Sequence, residues 1–291
     1  MPVAGQSLQN SCLFTAQAFR HHGYSPAPRL SIKSMFNGIA TYRVGRALFA
    51  VDETGYLILN ENQAYEIQID SPTRIESFIV YFPEGWSHDV LRNLVTPEEG
   101  LLDDPRPKAE PVHFFEKFTL HDSILSPAIS RLRKEHQSGA LSDVLIEERL
   151  RGLLARMLSA QRDSFRGAAQ MSATRVSTRA ELWRRLHRAQ DFIRAKACTP
   201  LRIQEIANAA CLSPFHFMRA FKMTFHMTAH EYISRCRVER AKFLLERTEL
   251  PVTQICFETG FESLGTFSTW FSRVTGKSPR VWRAEKAGLK K

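Results

Sequence analysis

Two stretches of the 291-residue chain concentrate side chains suited to recognising another molecule. In the first, Phe215, Met218, Arg219 and Lys222 lie opposite the helically spaced Phe217, Ala220 and Phe221. In the second, Leu264, Thr266, Ser268, Thr269 and Arg273 lie opposite Phe267, Trp270 and Phe271, with Ser263 just ahead of them. An aromatic pair at i and i+4 marks a helix face that packs inward, so the remaining side chains face out. Such groups have a known chemistry at base edges: arginine pairs bidentately with guanine, hydroxyls bond several bases without strong preference, and apolar groups meet the thymine methyl. Arg219 is expected to meet a base or a phosphate. Lys222, Arg273, Arg280 and Arg283 are expected to meet phosphates rather than bases, or nothing; phosphate contacts position a protein without specifying sequence. Phe215 and Met218 admit two readings, packing against the preceding turn or contact with thymine methyls.

Bond-making constellations do not appear. There is no Gly-x-Ser-x-Gly, P-loop or Gly-x-Gly-x-x-Gly, and the 14 glycines are scattered. His88, His113 and His121 stand apart, His21-His22 are adjacent, and no His-x-His pair exists, so no metal site is expected. The cysteines Cys12, Cys198, Cys211, Cys236 and Cys256 are odd in number and lack a Cys-x-x-Cys, which argues against a zinc site or a disulfide framework. They read as small buried hydrophobes in a reducing compartment. Neither enzymatic activity nor a cofactor is expected. No apolar run reaches the roughly 18 residues of a membrane span, and the first thirty residues lack the features of a signal peptide. The expectation is a cytoplasmic, nucleoid-associated protein without a membrane partner.

Charge is distributed unevenly. Residues 1–179 hold 20 Lys/Arg and 20 Asp/Glu, whereas residues 180–291 hold 20 Lys/Arg and 10 Asp/Glu. The whole net charge of +10 therefore lies in the C-terminal part, which suggests a polyanionic partner for that part.

The elements that would position these groups follow from periodicity. Residues 1–28 read as a mobile arm with local helix near Gln9–Arg20. Between Arg29 and Phe82 the pattern has period two, with short strands at Ile39–Val44, Ala47–Val51, Gly55–Leu59, Tyr65–Ile69 and Ile75–Phe82. Breakers such as Asp70-Ser-Pro72 separate them, which suggests a small sandwich or barrel. Gly85-Trp86-Ser87-His88 reads as a surface turn or the lining of a ligand pocket, and residues 94–111 as a proline-rich loop. Helices are expected over Ser123–Gln137 and Leu141–Ala160, the second capped by Ser142. Its stripe of Leu145, Ile146, Leu150, Leu153, Leu154, Met157 and Leu158 packs either on its own barrel or on a second copy of the chain. Residues 161–179 read as a linker.

From residue 180 the pattern is helical and repeats itself. Ile206–Phe221 and Ile255–Phe271 each predict a short helix, a turn centred on Cys211 or Gly260, and a second helix capped by Ser213 or Ser263. The second turn is one residue longer. His230–Arg247 reads as one long helix joining the units, with Ile233, Arg237, Ala241, Leu244 and Leu245 along its inner side. Trp183, Leu186, Ala189, Gln190, Phe192 and Ile193 belong to a leading helix that braces the first unit.

Residues 182–285 resemble the DNA-binding domain of the AraC/XylS family of bacterial regulators. The resemblance rests on Ile206-Ala207, on Arg237-x-x-x-Ala241-x-x-Leu244-Leu245, on Gly260-Phe261-x-Ser263, on Phe267-x-x-x-Phe271 and on Gly276-x-Ser278-Pro279 with Trp282 before Arg283. It implies an α+β protein: a small cupin-like β-barrel with two packed helices over 29–160, which senses and dimerises, then an all-α domain of about seven helices over 180–291. The two helix-turn-helix units fall at about 203–224 and 252–274. The implied partners are double-stranded promoter or operator DNA, a second copy of the chain, a small-molecule effector in the barrel, and RNA polymerase if the protein activates. The chain departs from the family pattern at Cys211, where the turn usually has glycine, and at His226 and Ala229, so the first recognition helix is expected to end differently. Thr269 occupies a position often held by arginine, so most discrimination between bases is expected from Arg219.

Overall fold

Alternation of inward and outward side chains builds a seven-stranded antiparallel sheet from the N-terminal third. The computed structural model describes residues 12–95, 112–169 and 176–288. Its strands are β1 (Leu13–Ser25), β2 (Ser31–Phe36), β3 (Ala40–Val44), β4 (Ala47–Val51), β5 (Gly55–Leu59), β6 (Tyr65–Tyr81) and β7 (Phe118–Leu120). Strand β6 organises them. One of its edges pairs with β1 from Leu13↔Val80 to Ser25↔Tyr65, while the other is shared by β3 at Glu66–Ile69 and β2 at Glu76–Tyr81. The order β4-β3-β6-β2-β5-β7 curls until β4 meets β5 and β7, giving a nearly closed barrel.

Side-chain parity divides the apolar residues between two faces of this sheet. Met35, Tyr42, Phe49, Leu57, Leu59, Tyr65, Ile69 and Ile75 form the interior cluster. Ile32, Tyr56, Phe78 and Val80 point the other way, into a second cluster with Leu132, Ile146, Leu150, Leu153, Leu154 and Met157. The last six lie on α2 (Ser126–Gln137) and α3 (Asp143–Ala169). The apolar stripe of α3 is thus buried on its own sheet. Ser142 accepts the Leu145 N–H at the start of α3.

Several elements differ from the sequence reading. The expected mobile arm is in part strand β1, because the length of β6 supplies hydrogen-bond partners for a segment whose own side chains are mostly exposed. The expected break at Asp70-Ser-Pro72 does not divide β6; it is absorbed as a register shift opposite Ala18/Arg20. Strand β2 carries Ser31, Lys33 and Ser34 in buried positions, so its polarity hides it. Trp86 opens helix α1 (Trp86–Val95) and packs on the outer-face cluster beneath the Arg151 guanidinium, 4.5 Å from its ring. Most of the expected linker is helical, since α3 runs to Ala169 and α4 spans Val176–Lys196; alanine and arginine favour helix there. The expected loop lies outside the described residues from 96 to 111. Among the described residues no helix is long and apolar enough to cross a membrane. The cysteines are free thiols, and Cys211 is exposed rather than buried.

The barrel interior buries a lysine. Lys33 is fully buried, donates to the Tyr65 hydroxyl at 3.0 Å, and lies 4.5 Å from the Tyr81 ring centre. Burial, helped by the nearby Arg29, pulls its ammonium down to about 7. The unfolded chain therefore holds more protons than the folded one between about pH 7 and 10.5, so this lysine makes stability fall as pH drops through that window. Lys33→Met is expected to raise stability at pH 7 and to flatten the slope of denaturation midpoint against pH from 7 to 10.5. An unchanged slope would show that the lysine is charged and solvated in the folded state.

Candidate nucleic-acid interface

The chain folds as two units, Met1–Glu181 and Leu182–Lys291, and the repeated pattern falls in the second. After α4, its helices are α5 (Ile203–Ala209), α6 (Pro214–Phe225), α7 (Ala229–Arg247), α8 (Val252–Glu258), α9 (Leu264–Thr275) and α10 (Pro279–Gly288). The two copies, α5–α6 and α8–α9, agree in their backbone hydrogen bonds. At the end of α5 the Leu212 N–H bonds Ala207 O and the Cys211 N–H bonds Asn208 O. At the end of α8 the Phe261 N–H bonds Cys256 O and the Gly260 N–H bonds Phe257 O. This double bond pattern needs a left-handed residue after the helix. Cys211 supplies it at φ 52° and Gly260 at φ 83°.

The recognition helices α6 and α9 are each twelve residues long. Ser213 and Ser263 accept the N–H of His216 and Thr266 respectively, closing each N-terminus. Both helices end on a left-handed residue, His226 at φ 55° and Gly276 at φ 77°. Against expectation, the first helix thus ends on the same left-handed conformation as the second, which histidine tolerates.

Inner faces are fastened by aromatic chains. Phe217, Phe221 and Phe225 stack in sequence with ring centres 5.3 and 4.6 Å apart, and Tyr232 of α7 joins Phe221. In the second copy Phe261, Phe267, Phe271 and Trp282 form the corresponding series. Helix α7 carries both, burying Ile233, Val238, Ala241, Leu244 and Leu245. It starts at Ala229, capped reciprocally by Thr228 and Glu231, a Thr-x-x-Glu signal present in the sequence that marks its first turn. Arg237 does not simply fill the inner side. Its Nε donates to Ala197 O at 2.8 Å and its guanidinium lies 5.7 Å from the Phe261 ring.

On α6 the outer face holds Phe215, Met218, Arg219 and Lys222, all exposed; Phe215 is 74% and Met218 45% accessible, so both leave apolar surface open. His216 and Met223 share this exposed side. On α9 Ser263, Leu264, Thr266, Thr269 and Arg273 are exposed. Ser268 is half-buried rather than fully outward, and Trp270 is half-buried rather than fully inward. Arg283 donates to Leu250 O at 2.6 Å and so serves the fold.

Residues 206–285 match the family model for a helix-turn-helix domain. The Msm operon regulatory protein of Streptococcus mutans is 26% identical over 172 residues, 59% of this chain and 60% of that protein. The HTH-type transcriptional activator RhaR of Escherichia coli is 32% identical over 85 residues, 29% of this chain and 30% of that protein. This chain thus spans less than two thirds of either relative. A solved transcriptional regulator with an AraC-type DNA-binding domain, from Chromobacterium violaceum, is 29% identical across 35% of this chain and 92% of that one, with a TM-score of 0.34.

Cys211 and Gly260 test the turn. A left-handed conformation costs an L-residue about 1–2 kcal/mol, which glycine avoids in exchange for some chain entropy. Cys211→Gly is expected to stabilise the C-terminal unit by about 0.5–1 kcal/mol. Gly260→Ala is expected to destabilise it by more, because the new Cβ would stand 2.9 Å from Cys198 O as well as in a strained backbone. Thermal denaturation of both variants checks the pair; equal effects of the same sign would refute the turn assignment. Residues 206–285 match a helix-turn-helix domain, and two helix-turn-helix units, α5–α6 and α8–α9, lie in this part of the chain.

Proposed function

We propose that the chain is a sequence-specific transcription regulator that places α6 and α9 in successive major grooves of promoter or operator DNA and answers to a small molecule held by its N-terminal unit. The observation that carries this reading is the matched pair of recognition helices on one spacer. Each is Ser-capped, closed by a left-handed residue, anchored by aromatic side chains and exposed on its other side. A helix about 10–12 Å across fits a major groove about 12 Å wide. The nineteen residues of α7 extend about 28 Å, comparable with the roughly 34 Å between grooves on one face of DNA.

The two exposed faces differ in chemistry. That of α6 has a guanidinium at Arg219, while the centre of α9 has the hydroxyls of Thr266 and Thr269. Base discrimination therefore rests mainly on α6. Arg219→Ala is expected to lose about 1–3 kcal/mol on the preferred duplex and little on random DNA. A gel shift with tight, selective binding by that variant would rule out Arg219 as a base reader.

Support for an effector comes from the barrel. Among the described residues Lys33 makes no ion pair with a carboxylate, and the fully buried Tyr42 hydroxyl lacks a hydrogen-bond partner. A small carboxylate would complement both groups. Outside the barrel, a cleft of about 270 Å³ lined by Ile58, Phe114, Leu125, Met157 and Gln161 offers an apolar alternative seat. A ligand that binds only the folded protein raises its melting temperature. In a screen of small carboxylates, a shift that disappears in Lys33→Met and survives in Met157→Trp supports the barrel seat. The reverse pattern supports the cleft, and no shift with any carboxylate removes this effector class.

A further inference from the structure

Between the two recognition helices lies a polar cleft of about 310 Å³, lined by His226, Met227, Glu231, Arg235, Trp270, Arg273 and Val274. Each copy contributes to it. His226 closes α6 four residues beyond Lys222, and Arg273 stands four residues beyond Thr269 on α9. The cleft therefore lies at the C-terminal ends of both recognition helices. Arg235 enters from α7 and is exposed. Arg273 is held with its guanidinium 5.1 Å from the Trp270 ring centre, which fixes a flexible side chain in place. The one carboxylate in the cleft, Glu231, is engaged by the N–H and hydroxyl of Thr228 at 2.8 and 3.0 Å. Lys222 and Arg273 both act on that carboxylate electrostatically, so positive charge predominates around it.

We infer that this cleft is a phosphodiester clamp, in which Arg235 and Arg273 contact the DNA backbone as it passes from one major groove to the next. The inference rests on the two-groove reading. If α6 and α9 occupy successive major grooves, the protein surface between them must face the intervening backbone, and there it presents two guanidinium groups in a recess. Arginine suits this task because its planar fork matches phosphate oxygens bidentately.

The test uses the full chain and two fluorescein-labelled duplexes of roughly 40 base pairs, enough for several turns of 10–10.5 base pairs. One has random sequence; the other is selected by the wild-type protein from a random pool. Anisotropy titrations over a range of salt give the slope of log affinity against log salt. Arg235→Gln is expected to reduce the slope by about 0.9 on both duplexes, and Arg235→Gln with Arg273→Gln by about 1.8, since a phosphate that the protein does not neutralise keeps its counterions. The ratio of affinities for the two duplexes should stay as in wild type, and Arg235→Lys should restore the slope. An unchanged slope in Arg235→Gln overturns the clamp while leaving the two-groove reading intact. A change in the affinity ratio overturns it too, by making Arg235 a reader of sequence or groove shape. Failure of the wild type to bind either duplex defeats the DNA-binding reading itself.

Discussion

The presentation of the C-terminal unit depends on one junction, where Arg237 of α7 donates to Ala197 O at the end of α4 and covers Phe261 in the second turn. Gly260 occupies the same place, with so little room that an added Cβ would lie 2.9 Å from Cys198 O and 3.2 Å from Arg237 Nε. A buried carbonyl left without a donor costs about 1–3 kcal/mol, so the arginine and the bare glycine backbone are each needed where they stand. Through this contact the end of the leading helix, the connecting helix and the second turn are held to one another. The bearing of α9 relative to α7 follows from it.

Symmetry between the copies is closer in backbone than in side chains. Both turns use the same pair of hydrogen bonds, and both recognition helices have serine caps and left-handed ends. The residues meeting those demands differ: Cys211 and His226 in the first copy stand where Gly260 and Gly276 do in the second. The hydrogen-bond pattern sets the conformation, and a non-glycine residue accepts its strain when the surrounding helices leave no alternative. The outer faces are free of that constraint and diverge, one cationic and apolar, the other rich in hydroxyls.

In the N-terminal unit the same separation of roles operates through parity. Odd and even positions of β5 and β6 feed two different apolar clusters, one inside the barrel and one beneath α2 and α3. Lys33 breaks the apolar rule of its cluster, at a stability cost that grows as pH falls. A buried lysine among tyrosines is poor structural material, and the proposed carboxylate effector rests on it.

Local sequence by itself determined the helices and their faces in the C-terminal unit, because a 3.6-residue period, serine caps and aromatic pairs are signals contained within a dozen residues. It determined most of the barrel strands for the same reason, since alternation is local. Tertiary structure decided what depends on distant partners. β1 is a strand because β6 lies beside it, β6 runs through Pro72 because three neighbours hold it, and the stripe of α3 faces its own sheet. Ser268 is half-buried and Arg283 is tied to Leu250 O for reasons that no spacing reveals. The cleft between α6 and α9 likewise exists only once α7 has folded against both, since Arg235 and Arg273 are thirty-eight residues apart in the chain and share a recess only in space.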